Sequence, residues 1–249
     1  MKLRGSWRAG MLVGLLAASA ATYVLHFFIF RDPKHIFIYL IGDVAFMFIN
    51  VLVVTLVIEQ ILAAREKRVL IKKLNMVIGT FFSDVGLELL RHFGRYVENT
   101  DDLSPRLRFT NRWEKRDFQA AIDAARTFEY RTEAIPATLR ELRRLLLCHR
   151  DFLLRLLENP NLLEHDRFTD LLWAVFHLLE ELEMREESYE GLPAADYLHL
   201  AGDIKRAFSQ IAAEWLAYAQ HLKASYPFLY SLASRINPFN PEASPVVKN

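Results

Sequence analysis

Three groups of polar side chains in this sequence have types and spacings suited to chemistry. Asp43 interrupts the oily run YLIGDVAFMFIN (39–50). Asn50 lies seven residues on, about 20° around a helix, so the two share one face. A carboxylate placed this way inside a membrane faces protein or a water-filled cavity. It marks either an ion pathway or a polar bond between helices. His26, at matching depth in the preceding apolar run, would lessen the cost of burying that carboxylate if the two paired.

Asp84, Glu88 and His92 follow at steps of four, near one face of a helix. A Glu/His pair at i, i+4 can ligate a metal, with Asp84 as a third ligand. Arg91 and Arg95 offer the simpler account of ion pairs. The third group is His177-x-x-Glu180 with Asp196-x-x-His199, whose histidines are symmetric about residue 188. Antiparallel helices would bring them level, as in carboxylate sites at the core of helical bundles. Both histidines, however, lie opposite the apolar stripes of their helices, which predicts surface polar residues instead. His149 falls on a stripe with Leu142, Leu146 and Leu153, which predicts a buried neutral histidine bonded to one partner. Cys148 beside it points away and forms no dyad. No G-x-S-x-G elbow, P-loop, dinucleotide fingerprint, HExxH or zinc-finger pattern occurs. The sequence therefore predicts no enzyme, no cofactor and no metal.

Two apolar runs must position the first group. In a chain of 249 residues, 52% hydrophobic, residues 9–30 carry no charge and residues 36–58 carry only Asp43. At about 1.5 Å per residue each crosses a hydrocarbon layer roughly 30 Å thick. Lys2, Arg4 and Arg8 precede the first run, and Arg65, Lys67, Arg68, Lys72 and Lys73 follow the second. Positive flanks of this kind put both termini in the cytoplasm. The expectation is a multi-pass protein of the cell inner membrane, with residues 1–62 forming a transmembrane hairpin. Gly10, Gly14, Ala18 and Thr22 form a small-residue row on the first span that lets another helix approach closely. Ala18-Ser19-Ala20 also fits a signal-peptide cleavage site, but the apolar run continues ten residues past it, which favours an uncleaved anchor.

Beyond residue 62 acidic and basic residues nearly cancel, so nucleic acid is not an expected partner. Cys148 is the only cysteine, which suits a reducing compartment. The rest reads as helices of a cytoplasmic bundle over 63–236, starting with 63–98 and a polar break at NTDDLSPRLRFTN. Further helices follow from near Arg112 to about 133, from Pro136 to ENPN, and on to about Glu187. The last two cover Ala194 to Ser225 and 227–236, and 237–249 is an irregular Pro-rich tail. Phe168, Leu171, Leu172, Val175, Leu179 and Leu182 share one face of the fourth, with a similar stripe from Tyr197 to Leu222 on the fifth.

ENPNLLEHDRFTDLLWAVFHLLEEL, DYLHLAGDIKRAF and HLKASYPFLYSLASRINPF, together with DPKHIFIYLIGDVAF and KKLNMVIGTFFSDVG, resemble segments of an uncharacterised family of prokaryotic two-span membrane proteins. The resemblance implies this all-α topology and no activity. The sequence thus predicts a non-enzymatic, membrane-anchored scaffold or sensor. Its expected partners are the lipid bilayer, further copies of itself and a cytoplasmic protein. A small oligomeric channel using Asp43 and Asn50 is the alternative, and an enzyme with an unrecognised site comes third.

Overall fold

The computed structural model describes residues 3–160, 162 and 165–247. Lys2 of the basic flank, Asn161 of the ENPN stop and the last two residues of the tail lie outside them. Among the described residues the chain is all-helical, with a single isolated bridge between Val97 and Thr132. It divides into two compact units, Met1–Lys67 and Arg68–Asn249.

The first unit holds α1 (Leu3–Phe30) and the greater part of α2 (Pro33–Phe81). Arg31 and Asp32 alone join the two helices. Arg31 closes α1 in the left-handed region, at φ 49°. The Asp32 carboxylate then accepts the Lys34 amide at 2.9 Å, capping α2, whose first residue, Pro33, has no amide to satisfy. Both helices are long and apolar enough to cross a membrane, and none of either apolar window is buried by the chain. Ile41, for example, is 76% exposed.

In the second unit α2 gives way to a π-helical turn, Phe82–Gly86, and then to α3 (Leu87–Phe93). The predicted helix 63–98 thus stops at Phe93. The π turn lets Phe81 and Phe82, adjacent in sequence, both be buried. Their rings meet edge-on at 5.2 Å. Phe81 also packs on Phe168, and Phe82 on Trp215. Gly86 makes this possible, since a β-carbon there would lie 2.6 Å from the Phe81 ring and 2.7 Å from the Phe82 ring.

The predicted polar break contains a short helix, α4 (Thr100–Leu107), despite Pro105, because Leu103 and Leu107 bury one turn apart. Helix α5 (Lys115–Thr127) ends earlier than expected, and an extended stretch follows. Asn99 pins that stretch, donating to the Glu129 carbonyl and accepting from the Arg131 amide, each at 2.9 Å. The predicted helix from Pro136 breaks at His149 into α6 (Pro136–Cys148) and α7 (Arg150–Leu157). Helices α8 (Asp166–Glu183), α9 (Ala194–Ser225) and α10 (Pro227–Arg235) complete the unit. Helix α9 is its axis, packed against α3, α5, α8 and α10. The tail is irregular but anchored. Asn237 is fully buried and donates to the Leu107 carbonyl at 3.2 Å.

Gly86→Ala is expected to destabilise the second unit by about 1–3 kcal/mol through overpacking. Gly202→Ala, whose β-carbon would meet nothing within 4 Å in the interior of α9, should stabilise by up to about 1 kcal/mol. Urea denaturation of the detergent-solubilised chain measures both, and equal signs would contradict the packing described.

Candidate functional site

The connector between α8 and α9 fixes how the two helices face each other. Tyr189, at φ 52°, is buried and donates to the Leu182 carbonyl at 2.7 Å, while Tyr197 of α9 donates to the Tyr189 carbonyl. The Arg185 guanidinium spans the gap, meeting both Asp196 oxygens at 2.8 and 2.7 Å and Glu181 at 2.6 Å. These hydrogen bonds from Arg185 hold both carboxyls below their ordinary values. The register that results pairs Glu181 with His199 and His177 with Asp203, both pairs centred on Glu190.

Four side chains converge in this seam, two from each helix. His199 Nε2 lies 3.3 Å from Asp203 Oδ2 and 3.5 Å from Glu181 Oε2. His177 Nε2 lies 3.7 Å from Asp203 Oδ2 and 3.8 Å from Glu181 Oε1. The imidazoles are 43% and 51% exposed, whereas the Asp203 side chain is 2% exposed. Arg206 satisfies Asp203 Oδ1 at 2.8 Å. Oδ2 has no hydrogen-bond partner in the protein.

The expectation of surface polar residues agrees with the exposure of both histidines, but the carboxylates beside them are not the two considered in the sequence. Glu180 is exposed and Asp196 belongs to Arg185, while Glu181 and Asp203 face the histidines. What a single buried stripe per helix could not show is the partner each exposed histidine meets. Helix α8 packs against both α9 and the α6–α7 pair, so residues off its main stripe lie in a second seam. The legible signal was the spacing His-x-x-x-Glu followed by His-x-x-x-Asp, four residues in each case, which puts both donors of a pair on one face.

The predicted Asp84, Glu88 and His92 group is rearranged. The π turn falls within the Asp84–Glu88 step, and His92 turns to the Tyr96 hydroxyl at 3.1 Å. His149 takes its place. Nδ1 lies 3.7 Å from Asp84 and Nε2 lies 3.8 Å from Glu88. The expectation of a single partner for His149 is therefore corrected: each ring nitrogen faces a different carboxylate. That arrangement suits an ion pair across the π turn, since a metal would need one nitrogen and both acids on the same side.

A further group escaped the sequence reading. Glu214 is buried in α9 with His165 Nε2 at 3.9 Å, and burial pushes its carboxyl above the ordinary value against the opposing pull of His165, Arg167 and Arg126. In the first unit Asp43 and Asn50 are exposed on α2, and the His26 ring packs on Phe30 at 4.6 Å. Thr22 bonds back to the Ala18 carbonyl at 2.9 Å, and β-carbons at Gly10 or Gly14 would meet nothing within 4 Å.

The family model described as "Uncharacterized protein MJ1433, C-terminal helical domain" matches residues 70–235, and that described as "MJ1433, N-terminal helical domain" matches residues 2–62. A relative from Methanocaldococcus jannaschii, "Uncharacterized protein MJ1433", is 40% identical over 226 residues, covering 91% of this chain and 90% of that protein. No solved structure matches the chain.

Two substitutions should have opposite pH signatures. Glu181 and Asp196 are held below their ordinary values, so the stability they contribute is present at neutral pH and lost on acidification. Arg185→Met should cost roughly 1–2 kcal/mol at pH 7 and less once both acids are protonated, when only its bond to the Glu181 carbonyl remains. Glu214 is held above its ordinary value of 4.5, so its contribution weakens as pH rises from there. Glu214→Gln should match the parent chain at acid pH and exceed it at neutral pH. Thermal unfolding from about pH 2 to 8 checks both, and parallel curves would contradict the assignments.

Proposed function

The chain belongs to the family of the uncharacterized protein MJ1433, and we propose that it is a two-span integral membrane protein carrying a non-enzymatic sensing or docking module. One observation supports this most. The apolar windows of α1 and α2 are left uncovered by the chain, while the second unit closes a core of its own. Leaving such surface in water costs about 25 cal/mol per Å² of apolar area, a cost that a bilayer removes. In this reading α1 and α2 are the spans, the Arg31–Asp32 turn lies outside, and residues from the basic cluster onward are cytoplasmic. The open ground around Gly10 and Gly14 supports close approach by a second copy. Asp43 and Asn50 would then bond between helices.

Cys148, the one cysteine and exposed, reports the topology without engineering. The protein should pellet with membranes and resist alkaline carbonate. Its thiol should react with a membrane-impermeant maleimide only after the membrane is permeabilised. Release by carbonate would remove the membrane reading, and labelling in intact spheroplasts would reverse the orientation. The mass of the particle in detergent, with the detergent subtracted, gives the number of copies. A monomer would overturn self-association.

A further inference from the structure

We propose that a divalent first-row transition-metal ion, with zinc as the reference case, binds between α8 and α9. Its ligands are His177 Nε2, His199 Nε2, Asp203 Oδ2 and one Glu181 carboxylate oxygen. The role of that ion as the signal rests on the reading of the second unit as a sensing module. The site itself stands on its own geometry.

Distances carry the argument first. A charge-assisted N–H···O bond between imidazolium and carboxylate closes to about 2.7–2.9 Å. The four nitrogen–oxygen separations here are 3.3, 3.5, 3.7 and 3.8 Å, all longer than that. Zinc–ligand bonds of about 2.0–2.1 Å put the corners of a tetrahedron roughly 3.3–3.4 Å apart. The two histidines share Asp203 Oδ2 at 3.3 and 3.7 Å, close to that spacing, and Glu181 Oε1 lies beside His177 at 3.8 Å, from where a turn of its carboxylate brings it in as the fourth ligand. The donor atoms of His177, His199 and Asp203 all lie within 4.8 Å of one another.

The second observation is independent of those distances. Asp203 is almost wholly buried, its Oδ1 is held by Arg206, and its Oδ2 turns into the cluster with no hydrogen-bond partner in the protein. A buried carboxylate oxygen left this way is costly, and a cation between the two histidines removes the cost. Charge agrees. Glu181, Asp196 and Asp203 face the guanidiniums of Arg185 and Arg206, one negative charge in excess before a cation enters. Two imidazoles with carboxylates select zinc and its first-row neighbours over calcium or magnesium, which prefer oxygen alone. The exposed edges of His177 and His199 give an entry path.

The test uses full-length protein in detergent, without a polyhistidine tag, stripped with chelator and titrated with Co²⁺ in the visible range. One Co²⁺ per chain is expected, with the d–d bands of a four-coordinate nitrogen–oxygen site, displaced by zinc. His199→Gln and Asp203→Asn should each abolish the bands. Arg206→Met, which frees the outer oxygen of Asp203, should weaken binding roughly 10–100-fold. His92→Gln and His149→Gln should leave the spectrum intact. Zinc should raise the unfolding midpoint of the parent chain and not of His199→Gln, whose ring is half exposed and whose fold circular dichroism verifies. Unchanged titrations in both ligand variants would overturn the proposal, as would equal affinity for Mg²⁺. Carbonate extraction of the membranes before solubilisation tests the membrane reading separately, since no residue of the seam takes part in it.

Discussion

Covering α9 is the constraint on which the second unit depends. This helix is 32 residues long, and its buried positions include Leu200, Ile204, Phe208, Ile211, Trp215 and Leu216, too many for a single stripe. Helices α3, α5, α8 and α10 must all lie against it. Their placement explains otherwise unrelated details. The π turn aims Phe82 at Trp215, the extended stretch after α5 carries Tyr130 to Phe208, and the start of the tail brings Asn237 to the indole of Trp215. Each is local irregularity accepted because it closes another side of the same helix.

A helix surrounded in this way leaves little room for polar groups, so those it carries are informative. Among the described residues of α9, Asp203 and Glu214 are the buried acids, and the fold treats them differently. Glu214 has one imidazole at 3.9 Å and is driven by desolvation toward its neutral form. Asp203 has a guanidinium at 2.8 Å, two imidazoles on its other oxygen, and solvent at the edge of the seam. The first is a carboxyl shut into the core, whereas the second has one oxygen paired and the other facing two imidazoles at the seam.

Helix identity was legible in the sequence because caps and breakers are local. Pro136 and Pro227 mark starts that the structure keeps, while α2 begins at Pro33, ahead of the apolar run at 36. What the sequence obscured was anything decided by more than one neighbour. The π turn depends on where Trp215 and Phe168 stand, the break at His149 on the carboxylates across from it, and α4 on two leucines that outweigh a proline. The seam histidines show the same limit. Wheels placed them rightly on the exposed side, but only the register set by Tyr189, Tyr197 and Arg185 shows that they meet across the seam. The two apolar runs are the opposite case, since their length and composition give two long apolar helices without any neighbour at all.

Arg185 also bears on what kind of metal centre the seam makes. It holds Glu181 Oε2 at 2.6 Å, which leaves Oε1, on the His177 side, as the oxygen free to coordinate. Glu181 then serves as a monodentate ligand oriented by a guanidinium, the usual division between inner and outer partners of a metal site. The same guanidinium grips both oxygens of Asp196, in the first turn of α9. Coordination of Glu181 is thereby tied to the geometry of the connector. One guanidinium thus joins the seam to both ends of the connector.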